Sequence, residues 1–145
     1  MKGAAVLRYY TEGTLRSEGS SISEGIGQGR ITGNMGTFRP DLCFEVSDEE
    51  MMPILHSLQE DEGLCVGTSA GINVAGAMKV AKHLGPGHTI ITMLCDRADR
   101  YASKLYNVDF LRSKGLPIPR WLVDESKSKL SIALNAVLKS VALPV

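Results

Sequence analysis

The sequence predicts an α/β protein with a mainly parallel sheet and flanking helices. Two observations carry this. Short apolar runs alternate with segments of helical periodicity in the order strand, helix, strand, helix, strand, helix, which is the rhythm of a parallel sheet with crossover helices. No internal repeat or low-complexity tract competes with that pattern. The 145 residues suit one domain of ordinary size, and 16 basic against 16 acidic side chains leave no net charge, so no global field favours nucleic acid or an anionic membrane.

The amino terminus, "MKGAAVLRYYTEG", has one basic residue before a short apolar patch that turns polar at Arg8 and lacks a signal-peptide core. Residues 13–36 then form a long glycine- and serine-rich loop without a sustained period of 2 or 3.6. Its apolar units "SIS" and "GIGQGRI" leave it open between an ordered functional loop and a plain connector. Residues 42–46 give a short strand leading into a helix. Ser47 followed by Glu50 makes a capping box, and Asp48 and Glu49 suit the positive end of the helix dipole. Pro53 predicts a bend in that helix, whose apolar face reads as Ile54, Leu55 and Leu58.

"LCVGTS" reads as a buried strand, and residues 70–84 as a helix stopped by "LGPG", with Ile72, Ala75, Met78 and Ala81 on its apolar face beside Val74 and Ala77. A third strand spans residues 89–95 and ends in the charged turn "CDRADR"; "YASKLYNVDFLRSKG" is one further helical segment before "LPIPRWL". Residues 123–145 form a helical tail, with Leu130, Ala133, Leu134, Val137, Leu138 and Val141 at helical spacing and too short an apolar run to span a bilayer. Cys43, Cys65 and Cys95 are an odd, widely spaced set. Cys65 and Cys95 lie in apolar runs, which predicts a reducing compartment with neither a disulfide framework nor a zinc site.

Ligands of parallel sheets sit at the carboxyl ends of strands, which directs attention to Ser69 in "GTSAG" and to the "CDRADR" turn as neighbours on one site. Read as G-x-S-x-G, Ser69 is a hydrolase nucleophile needing a base and an orienting acid. No histidine follows Asp96, Asp99, Asp109 or Asp124 as the hydrolase chain order requires. His83 stands at the far end of the helix, roughly 20 Å away at a rise of 1.5 Å per residue. His88 lies in the turn beyond, and His56 is upstream on another helix. A plainer reading makes Ser69 only a helix N-cap. "GIGQGR" lacks the G-x-G-x-x-G spacing of a dinucleotide loop, although its glycines let backbone approach a flat ligand.

Taken together, "EGSSISEGIGQGRITGN", "DEGLCVGTSAGINVAGAMKVAKHLGPGHTIITMLCD" and "RYASKLYNVDFLRSKGLPIPRWL" resemble the carboxyl-terminal part of cysteine synthase, within the fold type II group of pyridoxal-phosphate enzymes that includes cystathionine β-synthase. The resemblance runs from about Gly3 to Leu122. It implies a domain over residues 1–122 that is part of a three-layer parallel sheet with flanking helices, as in the tryptophan synthase β-subunit-like fold. It further implies pyridoxal 5'-phosphate as cofactor and formation of L-cysteine from O-acetylserine, or another activated serine, and sulfide.

On that resemblance Ser69 matches the serine that hydrogen-bonds the cofactor's pyridine nitrogen. Gly67 and Thr68, with Gly71, shape its turn, and Cys95 and Asp96 pass the pyridine edge. Gly25, Ile26 and Gly27 match the loop lining the substrate side. Where relatives commonly read Asp-Ser-Gly, this chain reads Asp96-Arg97-Ala98. Arg97 therefore either crowds the ring edge or is a surface position without a role. The family's Schiff-base lysine and phosphate loop precede the matched region, and none of Lys2, Lys79, Lys82, Lys104, Lys114, Lys127, Lys129 and Lys139 has that lysine's context. The chain thus reads as a truncated relative. The expected partners are a small amino-acid substrate and either a second copy or a full-length homologue, in the cytoplasm or alternatively the mitochondrion. A non-catalytic fragment that modulates such a homologue is the second reading.

Overall fold

A computed structural model describes residues 4–27 and 29–123. The tail of residues 124–145, with its expected helix, lies outside the described residues, as does Asp124. The chain divides into two compact units that meet between Ala102 and Ser103.

The first unit contains α1 (Ala5–Glu12), α2 (Gly33–Thr37), α3 (Asp48–Glu62) and α4 (Thr68–Leu84), followed by a 3-10 turn over Ala98–Tyr101. α1 stops at Gly13, whose φ of 72° is the left-handed conformation that ends helices, with its N–H donated to Tyr9 O. α3 starts as the sequence predicts. Ser47 Oγ accepts from the Glu50 N–H at 3.2 Å while the Glu50 carboxylate accepts from the Ser47 N–H at 2.8 Å. The helix continues through Pro53 and ends at Gly63 in the left-handed region.

α3 packs on α4, and this pair forms the centre of the unit. The buried face of α3 is Met51, Met52, Leu55 and His56, one position round from the Ile54–Leu58 face expected. Met51 and Met52 are fully enclosed, each worth about 1.5–3 kcal/mol relative to exposure. On α4 burial falls on Thr68, Ala70, Gly71 and Ala75, in the first half of the helix, while Met78 of the expected face is exposed. Gly71 is the contact that brings the two helices close: a Cβ there would stand 2.7 Å from Leu55 Cγ and 2.8 Å from Met51 Cγ.

Among the described residues no strand forms. The runs expected as strands at residues 42–46, 64–69 and 89–95 have no ladder; the second leads into α4, which starts at Thr68, two residues ahead of the expected helix start, and residues 42–46 and 89–95 belong to no helix or strand. One isolated antiparallel bridge joins Val66 to Arg97. The physical reason is that an apolar run becomes a strand only when neighbouring strands take up its N–H and C=O groups. Here Ile91 is 89% and Met93 68% exposed, so the run has the composition of a buried strand without the neighbours. Cys65 and Cys95 follow the same logic and are exposed rather than interior.

The second unit holds most of α5 (Ala102–Leu105), then α6 (Val108–Ser113) and α7 (Arg120–Val123). The single helix expected here is broken at Tyr106 and Asn107, because Asn107 Oδ1 accepts from the Phe110 N–H at 3.0 Å and starts α6 afresh. Leu111 and Leu116 are buried, and the Tyr106 and Trp121 rings stand 6.1 Å apart.

Candidate functional site

Ser69 lies in the first turn of α4 but is not its cap. Gly67 takes that position in extended conformation, and Ala70 and Gly71 donate their N–H groups to Gly67 O. Thr68 beside it is fully buried. The Ser69 hydroxyl oxygen is itself buried and has no hydrogen-bond partner. A hydroxyl offers one donor and two acceptor sites, and leaving it buried and unmatched costs about 1–3 kcal/mol, so a ligand group that met it would recover that energy.

The turn that precedes Ser69 is joined to the "CDRADR" segment through the backbone. The Gly67 N–H donates to Asp96 O at 2.8 Å, the Ala98 N–H donates to Cys65 O at 3.1 Å, and the bridge between Val66 and Arg97 lies between them. The Asp96 carboxylate accepts from the Tyr101 hydroxyl. That hydrogen bond, then burial, then the Asp96 charge hold the Tyr101 phenol above its usual range, and the Glu24 carboxylate acts in the same direction. Cys95 is exposed, and its Sγ is 3.5 Å from Asn73 Nδ2 of α4. Neither Tyr101 nor Asn73 was picked out from sequence. The signals were an aromatic five residues after Asp96 and an amide on the Ser69 helix, both of which depend on the turn between them.

Ala98 is buried, whereas the Arg97 side chain is 86% exposed and pairs at 3.1 Å with Asp99. This favours the surface reading of Arg97, since exposed pairs of this kind contribute little. Lys79 makes a 2.9 Å ion pair with Glu50 and donates to Glu45 O.

Gly25, Ile26 and Gly27 line a second feature, a cavity of about 480 Å³ bounded also by Leu7 and Tyr10 of α1, Phe38, Phe44 and Ile72 of α4. Gly25 and Gly27 have φ of 73° and 66°, which side-chain-bearing residues avoid. The approach to this loop is fixed, as an ordered loop requires: Ser21 Oγ donates to Asp48 Oδ1 at 2.5 Å, and the Ile22 N–H donates to Asp48 Oδ2 at 2.9 Å. The cavity reaches α4 one turn beyond Ser69, but Ser69, Gly67, Thr68, Cys95 and Asp96 do not line it. The candidate residues thus fall into two groups, one at the start of α4 and one around the cavity that Ile72 helps to line.

For the nucleophile reading, the unpartnered Ser69 oxygen means that no histidine holds it as a general base. His56 is buried on α3, and burial lowers its pKa to about 4. His83 stacks edge-on to Phe44 at 6.2 Å, and His88 is exposed. An unpartnered hydroxyl in a helix's first turn can donate to a single neutral acceptor without a charged partner.

No family model matches the chain. Among curated proteins, it is 43% identical over 108 residues to cysteine synthase 2 of Schizosaccharomyces pombe, covering 72% of this chain and 27% of that protein. It is 40% identical over 129 residues to cysteine synthase 1 of Emericella nidulans, covering 83% and 34%. It is 41% identical over 118 residues to cysteine synthase 1 of Neurospora crassa, covering 79% and 31%. The chain therefore spans about a third or less of the length of these relatives.

Proposed function

Because the chain belongs, over the region it shares with these relatives, to the cysteine synthase family, we propose that it forms one wall of a pyridoxal-phosphate site serving β-replacement, in which an activated serine such as O-acetylserine and sulfide give L-cysteine. The observation that carries the reading is the buried, unpartnered Ser69 hydroxyl at the start of α4. When bound, the cofactor supplies an electron-withdrawing ring that eases loss of a group from the β-carbon of an amino acid. Ser69 would donate its hydroxyl proton to the ring nitrogen. A neutral hydroxyl, unlike a carboxylate, does not hold that nitrogen protonated, and this favours elimination over prolonged storage of negative charge. Gly67 and Thr68 set the Ser69 backbone, Asp96 and Cys95 border it, and Gly25, Ile26 and Gly27 present backbone to the substrate side.

On this reading residues 42–46 and 89–95, with the run that leads into α4, would be strands of the parallel sheet of the fold type II enzymes. The exposed apolar run around Ile91 and Met93 also favours a second reading, in which the chain pairs with a longer homologue or with its own copy. No helix among the described residues is long and apolar enough to cross a membrane.

The test is a chimera in which this chain replaces the matching 108 residues of the Schizosaccharomyces pombe relative. The expected result is cofactor binding with sulfide-dependent cysteine formation, and a Ser69→Ala version weakened in both. A chimera that binds cofactor equally well with and without the Ser69 hydroxyl overturns the assignment of Ser69. Labelling of Ser69 by a fluorophosphonate would instead favour the hydrolase.

A further inference from the structure

Gly67, two residues before Ser69, is enclosed on one side by a tyrosine ring. A Cβ at Gly67 would stand 2.6 Å from Tyr101 Cε2, 2.9 Å from Tyr101 Cδ2 and 3.2 Å from Asp96 Cβ, so the ring takes the space that a side chain there would need. Tyr101 is 6% exposed, and its hydroxyl is tied to the Asp96 carboxylate. The same Asp96 receives the Gly67 N–H on its main-chain oxygen at 2.8 Å. A closed circuit results: ring against Gly67, hydroxyl to Asp96 side chain, Asp96 main chain back to Gly67. Each contact removes a freedom of the residue that sets where α4 begins. The position of Ser69 follows from that start, because Thr68 is fully buried and Ser69 is already in the helix.

We propose that Tyr101 is a positioning residue for Ser69, holding the Gly67 turn through Asp96 so that the Ser69 hydroxyl stays aimed at the ring nitrogen of a bound pyridine. The inference rests on the reading of Ser69 given above, and it assigns a role to a residue whose own hydroxyl touches no ligand. A buried hydroxyl without a partner has nothing of its own to hold it in one rotamer, so its aim depends on the backbone beneath it. A ring alone would fill the space against Gly67. The hydrogen bond to Asp96 adds the direction.

The experiment compares the full chain with Tyr101→Phe, which keeps the ring and removes the hydroxyl, and with Asp96→Ala and Asp96→Asn, the last keeping a side-chain acceptor. Two measurements are made on each after circular dichroism shows native helix content. One is amide hydrogen exchange over residues 67–71. The other, made with the same substitutions in the chimera with the Schizosaccharomyces pombe relative, is the ratio of affinities for pyridoxal phosphate and its 1-deaza analogue, which lacks the ring nitrogen. Exchange at residues 67–71 is expected to rise roughly three- to tenfold in Tyr101→Phe and Asp96→Ala, the range a single hydrogen bond spans, with residues 51–55 of α3 unchanged and Asp96→Asn close to wild type. The wild-type preference for the ring nitrogen should shrink by a similar factor in the first two variants only. Unaltered exchange at residues 67–71, or a preference that survives the loss of the hydroxyl, overturns the role of Tyr101. A chimera with unaltered Tyr101 that never distinguishes the two ligands, or binds neither, overturns the reading of Ser69, and the exchange data then still decide whether Tyr101 holds the turn.

Discussion

Asn73 on α4 donates from Nδ2 to Met93 O at 2.9 Å and lies 3.5 Å from Cys95 Sγ, so one side chain ties the helix of Ser69 to the extended run beside it. In a segment without a ladder, such a bond substitutes for part of what a neighbouring strand would supply. It also explains why residues 93–95 follow α4 although their own side chains are exposed.

Asn73→Ala should therefore loosen this run locally. The expected loss is about 0.5–1.5 kcal/mol in denaturant unfolding, the net worth of one intramolecular hydrogen bond. Alkylation of Cys95 should speed up while that of half-buried Cys43 stays constant. Equal acceleration at both thiols would mean that the substitution loosens the whole unit and that Asn73 has no special hold on residues 93–95.

Two glycines of α4 should respond to alanine with opposite signs. Gly76 has open space where a Cβ would go, so Gly76→Ala gains helix propensity and should stabilise by about 0.4–1 kcal/mol. Gly71→Ala makes the same local gain but drives its methyl into Leu55 and Met51, and overpacking of this kind costs about 1–3 kcal/mol. Melting temperatures of the two variants should straddle that of the parent. Stabilisation by Gly71→Ala would show that α3 gives way there and that the close approach of the helices is not maintained.

Glu50 closes the capping box on Ser47 and also meets Lys79, and these two contacts, the Ser47 N–H first, hold its carboxyl below the ordinary 4.5. Ser47→Ala removes one half of the box and should cost about 1 kcal/mol. With Glu50 depressed, its contribution is present above pH 4.5 and disappears as pH falls through the lower folded value. Glu50→Gln should accordingly narrow the stability gap between variant and parent as the solution is acidified below pH 4.5. A gap that stays constant with pH would place the value of Glu50 in packing, not charge.

What was legible in the sequence follows from range of interaction. The capping box spans four residues and needs only its own backbone, so Ser47 and Glu50 are read correctly without a fold. The helix of residues 70–84 is legible within two residues for the same reason. The rule that strand ends share a site led to the expectation that Ser69 and the Asp96 turn are neighbours, whereas what joins Gly67 to Asp96 is a single antiparallel bridge and not a pair of strand ends. The apolar content of residues 89–95 is visible in the sequence, whereas partners for it are not a property of the segment itself. Face assignments on α3 missed by one position because Met51 and Met52 precede Pro53, where the bend expected at the proline drew attention downstream. Asn107 carried an available signal, a capping residue three positions before Phe110, that the helical periodicity around it obscured.

His56 supplies a pH dependence of the opposite origin to that of Glu50. Its side chain is buried on α3, and burial alone lowers its pKa from 6.5 to about 4. Between those values the unfolded chain binds a proton that the folded chain refuses, so stability rises with pH across this window and is lost as pH falls from 6.5 toward 4. Urea unfolding at intervals from pH 7 down to pH 5 should show the decline before the carboxylates begin to titrate. In His56→Leu, which puts an apolar side chain of similar bulk at this buried position, that slope should flatten even if the absolute stability changes. The comparison of slopes separates charge from packing, because a cavity or a clash shifts stability equally at every pH. An identical slope in parent and variant would place the titrating group elsewhere and would mean that His56 accepts its proton in the folded chain.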